Sequence, residues 1–483
     1  MFRTSTLVVI AIAATQASAQ QAPANPFLAD STWPLFHRNN YAQAAGYLPA
    51  LQPGDAIGFQ RLENPKGGTS PWTVVGPPYT DGSQAAFGSV QKGVVKWLLQ
   101  GERFEQISYV PLPRGRFDFD WYVTVLASGE IVTTNIKENA LYVLRDERPD
   151  CPRCELVVDR KIEVPQSVGK LTIHFSVSYD GHIIILLEDN KIAAISPLTG
   201  DVVATGRLGS AGAGYSYHNA FAIDENNRLY ISSQQGVIAL DWTGAQFATA
   251  WEAAYDFRGP GCKEPRRPSR FRERLRAIRG KNCTGTGTTA SLIGTPESGV
   301  VVMVDGHAPN NSLVAFWRGA IPRNWDGLPG EDRRLAGRIA LPLSTPDGEG
   351  YTAENSPAVL GHSVFIAQWA GFNPDCSPPK GVQRVDWLES ERRFALVWAN
   401  PSVHFNGIPT ASSATGLVYG TGRGDGCTYA YRGLDIDSGE LRLDVPLNDD
   451  KAFTDQGNQQ TIAADGSIIV GVRKGQLRLY RQR

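Results

Sequence analysis

Residues 217–253 read YHNAFAIDENNRLYISSQQGVIALDWTGAQFATAWEA, and residues 173–208 read IHFSVSYDGHIIILLEDNKIAAISPLTGDVVATGRL. Each is one unit written twice: a short alternating strand, a turn built on Asp with Gly or Asn, a β-rich strand, a second turn, a third strand ending near Asp, then a Gly turn and a fourth strand. Alternation with period two argues for half-buried strands, and the β-branched, Gly-punctuated runs exclude a helical solenoid. The last copy, residues 458–483 (NQQTIAADGSIIVGVRKGQLRLYRQR), holds three strands and then the chain stops. Weaker copies begin near Asp118, Gly285, Thr352 and Phe405.

Anchored on the residue before the turn glycine, the copies sit at Ser128, Asp180, Asp224, Ile293, Leu360, Thr415 and Asp465, with separations of 44 to 69 residues. Such periods are those of propeller blades with insertions. The expected fold is therefore all-β, a β-propeller of seven blades, with eight as the alternative. A ring must close to avoid an exposed sheet edge. The segment 101–113 (GERFEQISYVPLP) has the Gly-started form of the other fourth strands, so Gly101 to Pro113 is expected to complete the last blade. Residues 20–100 then form an irregular arm, and residues 101–483 the propeller.

Met1 to Gln20 carry a charge at Arg3, an apolar run from Leu7 to Ala14 and the triplet Ala17-Ser18-Ala19. This is a signal-peptide pattern with cleavage after Ala19, so a secreted or periplasmic protein is expected, without a membrane span. A formal net charge of −1 argues against a nucleic-acid partner. Six cysteines in an exported chain point to disulfides. Of the fifteen pairings, Cys151 with Cys154, Cys262 with Cys283 and Cys376 with Cys427 are favoured, because the first two close short loops and the third joins neighbouring repeats. Between Cys262 and Cys283, Arg266, Arg267, Arg270, Arg272, Arg274, Arg276 and Arg279 make a basic insert, either a solvated lid or a surface for an acidic partner.

In a propeller the first strand of each blade lines the central channel, so equivalent repeat positions become neighbours at one mouth. Six residues before each anchor stand Tyr122, His174, His218, Gly287, Glu354, Pro409 and Gln459. Two imidazoles and a carboxylate, His174, His218 and Glu354, are a ligand set for a divalent metal ion with open positions for water or substrate. Without a metal, a neutral imidazole serves as general base, with His404 a further candidate. Asp120, Asn219, Asn355, Asn406 and Gln460 lie beside them as contacts for a small polar ligand. Polar lining of the channel alone would also satisfy these residues.

The elements AISPLTGDVVATG, ALDWTGAQFATAW and GLDIDSGELRLDV resemble the repeat of quinoprotein-type propellers, in which an Asp precedes a Thr/Ser-Gly turn. That family spans quinone-dependent dehydrogenases and assembly scaffolds. Quinone dehydrogenases of this type carry an adjacent cysteine pair, whereas two residues separate Cys151 from Cys154. HNAFAIDENNRLYIS more faintly resembles blades of gluconolactonase- and regucalcin-type propellers, which implies a divalent metal at the ring centre. The expected function is an enzyme acting on a small polar or carbohydrate-like molecule at the mouth, by hydrolysis or lactone opening. A binding propeller is the alternative, and a quinone-dependent oxidoreductase comes third.

Overall fold

Strands such as Ile183–Leu187 (IIILL), Val300–Val304 (VVVMV) and Ile468–Val472 (IIVGV) are buried at every position, because each lies inside a sheet covered on both faces by neighbouring sheets. Burying a Val or Ile side chain is worth about 1.5–3 kcal/mol, which makes these second strands the main apolar stock of the fold. The outermost strands alternate instead. In Leu441–Asn448, Leu443, Val445 and Leu447 are buried and the residues between them are exposed.

The computed structural model describes residues 22–65, 71–90, 92–113, 122–209, 220–233, 235–257, 288–307, 310–344, 355–369, 381–423 and 428–482. Their strands form eight antiparallel sheets. Seven are read straight along the chain, over residues 72–111, 123–163, 171–207, 222–254, 291–340, 358–400 and 410–448, here blades 1 to 7. Blade 8 takes its three inner strands from residues 455–481 and its outer strand, Ile57–Glu63, from near the start of the chain. Ile57 pairs with Arg481 and Glu63 with Gly475 in an unbroken antiparallel register.

The ring therefore has eight blades rather than the seven expected, and residues 20–100 are not one irregular arm. An N-terminal strand does close the last blade, but it is Ile57–Glu63. The expected closing segment supplies Arg103–Pro111, which pairs with Gly93–Gln100 as the outer strand of blade 1. Its Gly-started form correctly marks a fourth strand. That form is shared by blades generally and carries no information about which blade it completes. Among the described residues no helix is long and apolar enough to cross a membrane.

Cys151 and Cys154 form a disulfide, while Cys262, Cys283, Cys376, Cys427 and the basic insert from Arg266 to Arg279 lie outside the described residues. The bridge tightens the turn between the third and fourth strands of blade 2. Both half-cystine carbonyls accept from the ammonium of Lys96, at 3.1 and 3.2 Å, and Lys96 pairs with Asp146 at 2.6 Å. The side chain of Lys96 is fully buried, so these acceptors offset the cost of desolvating its charge. Replacing both cysteines by serine is expected to lower stability by about 2 kcal/mol, the closure entropy of so short a loop, read as a shift of the urea midpoint at constant slope.

Candidate functional site

The inward edge of each innermost strand presents backbone donors and acceptors that the blade itself cannot satisfy. The N-terminal segment meets them in blade order. The N–H groups of Val75 in blade 1 and Val125 in blade 2 donate to the carbonyls of Trp33 and Pro34. Ile223, Leu292, Val359 and Ala411, in blades 4 to 7, donate to those of Asn40, Tyr41, Gln43 and Ala44. In blade 3 the carbonyl of Val177 accepts from Asn40 Nδ2 at 2.8 Å, and in blade 8 that of Ile462 accepts from Thr32 Oγ1 at 2.7 Å. Residues 32–44 thus complete one circuit inside the ring. Ala45–Gly46 then lies parallel to Ala411–Ser412 as a fifth strand of blade 7.

That circuit sets the register between blades. Three residues before each contacted position stand Trp72, Tyr122, His174, Ala220, Thr289, Ser356, Ile408 and Gln459. Tyr122, His174 and Gln459 stand at these positions; in blades 4 to 7 the register carries Ala220, Thr289, Ser356 and Ile408, while His218, Gly287 and Glu354 lie outside the described residues. The slip comes from the turns. Ser178 N–H bonds to His182 O and Asp224 N–H to Arg228 O, so Asp224 corresponds to Ser178 and not to Asp180. Matching the two aspartates displaced blade 4 by two residues and put His218 where Ala220 belongs. His218, Asn219, Glu354 and Asp120 themselves lie outside the described residues.

One half of the mouth is aromatic. Phe36, on the arm, packs 4.2 Å from the ring centroids of both Trp72 and Tyr122, and Tyr122 lies 5.4 Å from His174. The other half is polar. His37 N–H donates to Gln459 Oε1 at 2.7 Å, and its Nε2 lies 2.9 Å from Thr289 Oγ1. Burial lowers the His37 pKa to about 3, so the ring is neutral at physiological pH. His37 and Arg38 hold φ of +57° and +77°, and Ala42 and Ala44 hold +54° and +48°, left-handed values that cost side-chain-bearing residues energy and persist only where the surroundings fix them.

Asn355 reaches from blade 6 to the start of blade 7, and Asn406 from there to blade 8. Asn355 Nδ2 donates to the carbonyls of Asn406 and Gly407, at 3.2 and 3.1 Å, and Asn406 Nδ2 to that of Asp455 at 2.5 Å. Asp455, which the repeat reading passed over, opens the innermost strand of blade 8 and is 2% exposed. Its carboxylate accepts from Thr421 Oγ1 at 2.5 Å, Asn458 N–H at 2.8 Å and Gln460 Nε2 at 3.1 Å. Burial outweighs these bonds and lifts its pKa to about 7. Beside it is a cavity of about 10 Å3, lined by Asn406, Thr421, Gly422, Arg423, Tyr429, Thr454 and Asp455, with room for one water. Gly422 is required here, since a Cβ would fall 1.5 Å from the carbonyl oxygen of half-buried His404.

No family model matches the chain. A curated relative, an uncharacterized protein of Archaeoglobus fulgidus, is 26% identical over 485 residues, covering 95% of this chain and 89% of its own. Among solved structures the chain is similar to a streptogramin B lyase, at a TM-score of 0.40 and 11% identity over 88% of this chain and 97% of that one. It is likewise similar to BamB from Moraxella catarrhalis, at 0.40 and 12% over 73% and 82%. The propeller rests on the strand order itself: among the described residues, seven four-stranded sheets and one of five strands, blade 8 being closed by strands from both ends of the chain.

Of the ligand set His174, His218 and Glu354, only His174 lies among the described residues. No three His, Cys, Asp or Glu among the described residues converge to hold a metal ion, and the neighbours of His174 in the ring are Tyr122 and Ala220. Cys151 and Cys154 sit in a third-to-fourth-strand turn, on the face opposite the mouth, and so are remote from any group held there.

Proposed function

We infer that this propeller takes a small polar, carbohydrate-like molecule at the mouth and hydrolyses it by proton transfer through Asp455. Asp455 carries the reading: a buried carboxyl with a pKa near 7, facing a water-sized cavity, is matched to accepting and returning a proton at neutral pH. In the ionised form its carboxylate draws a proton from water in the cavity as the oxygen attacks an ester or lactone carbonyl; the acid form returns it to the leaving alkoxide. Half-buried Trp72 offers an aromatic face to the substrate. No step is routed through a metal or a quinone.

The test is hydrolysis of glucono-δ-lactone followed in a pH-stat with wild type and Asp455→Asn. A rate rising through pH 7 in the wild type, and a loss of about a hundredfold in the variant, is expected. Equal rates for the two proteins would exclude Asp455 from the chemistry.

Asp455 also sets a pH dependence of stability. Its folded pKa lies above the unfolded value of about 4, so the native state retains a proton that the unfolded chain releases. Its contribution is fully present below pH 4 and is lost as pH rises through 7, on the order of 4 kcal/mol in total. Urea titrations from pH 4 to 8 should show this decline in the wild type and not in Asp455→Asn. Parallel curves would contradict it.

A further inference from the structure

On the face opposite the mouth, blades 1 and 2 part to leave a groove of about 300 Å3, within the range of small-molecule sites. Topology puts it there: it opens between the end of the innermost strand of blade 1, at Pro77–Pro78, and the first turn of blade 2, at Ser128 and Gly129. Its floor is apolar, from Pro77, Pro78, Ala85, Phe87 and Val125. Gly76 keeps it open, since a Cβ at that position would press on the Phe87 ring at 3.3 Å.

The rim is charged, and one end of it is acidic. Glu130, Asp146 and Asp150 line the groove with a single guanidinium, Arg145, which is turned outward to Asp159 and to the carbonyls of Asp146 and Glu147. Asp146 and Glu130 are already neutralised by Lys96 and Arg160. Asp150 has only Thr80 as a polar partner among the described contacts and lies at the surface, where its charge faces the groove uncompensated. Tyr79, in the wall, reports the field: after burial, Asp146, Asp150 and Asp81 all push its phenol pKa upward.

We propose that this inter-blade groove is a second ligand site, for a small organic cation whose apolar ring rests on Phe87, Pro77 and Pro78 and whose ammonium meets Asp150. The apolar floor supplies burial, and the carboxylate selects charge over a neutral molecule of the same shape. The site shares no residue with the mouth and stands independently of the hydrolytic reading.

Benzylamine, protonated at neutral pH, and its neutral isostere benzyl alcohol test it by saturation-transfer NMR titration of the full chain. Saturable benzylamine binding is expected, with benzyl alcohol about fivefold weaker. Asp150→Asn should remove that preference while leaving benzyl alcohol unchanged. Ser128→Trp, on an exposed turn where folding is not at stake, should block both probes. The proposal is overturned if benzylamine fails to saturate, if it binds no better than benzyl alcohol, or if Ser128→Trp binds it as the wild type does.

Discussion

A chain lacking residues 22–51 is expected not to form a cooperative native state. That segment is no appendage: Trp33, Leu35, Phe36, Tyr41, Ala44, Leu48 and Leu51 are each at most 6% exposed. Its backbone and side chains meet the inner edge of every blade. Removing it strands a backbone donor in six blades, each costing about 1–3 kcal/mol when left unsatisfied and dry, and empties the ring axis of its apolar filling. The sum exceeds the stability of an ordinary domain. Near-ultraviolet circular dichroism and calorimetry would report loss of fixed tertiary packing and of a single heat-absorption peak. A deletion variant melting within a few degrees of the full chain would show that the ring holds without its inner strap. Trp33→Ala is the graded version, expected to cost about 3–5 kcal/mol.

The second large effect is expected at Arg318. Its side chain is fully buried between blades 4 and 5, and its guanidinium lies over the Tyr41 and Tyr230 rings at 4.7 and 5.5 Å. Nη1 donates to Gly294 O at 2.6 Å, and Nη2 reaches Tyr41 Oη at 3.3 Å and Asp224 Oδ2 at 3.4 Å. Tyr230 donates to the same carboxylate oxygen at 2.8 Å, and Tyr41 to Glu225. Arg318 thereby ties the strap to two blades. Arg318→Ala leaves Asp224 buried without its cation and should destabilise by about 5 kcal/mol, most of it from the orphaned charge. Arg318→Ala with Asp224→Asn should recover a measurable part of the loss in equilibrium urea unfolding. Additive losses in the double variant would mean that the two side chains act separately.

The repeat was legible because blade chemistry is local. Alternation in GDVVATGRL and GELRLDVPL, and continuous apolar runs such as IIILL, follow from one-sided and two-sided burial within a single sheet. Blade 1 escaped notice because WTVVGPPYTDG hides its first strand among Gly and Pro. Its first turn, Tyr79 to Ser83, has the Asp-Gly form and the backbone bonds of Ser178 to His182, but the register slips between Val75 and Pro78 and breaks the alternation of the strand that leads into it. The mouth was only half legible. Tyr122, His174 and Gln459 belong to repeats whose first turns align residue for residue, whereas Asp224 imitates the turn aspartate of its neighbour from a position two residues earlier. Asp455 gave no signal, because its raised pKa comes from burial by blade 7, more than thirty residues away in the chain.

By itself, then, the amino-acid sequence determined the sheet, the four-strand unit and the need for an N-terminal strand to close the ring, since each is fixed by side chains a few residues apart. The number of blades, the choice of Ile57–Glu63 as the closing strand, the filling of the channel by residues 32–46 and the placing of Asp455 were decided only in the tertiary structure. Each depends on which distant backbone edge is left unpaired once the blades have packed, and no local pattern of residues encodes that.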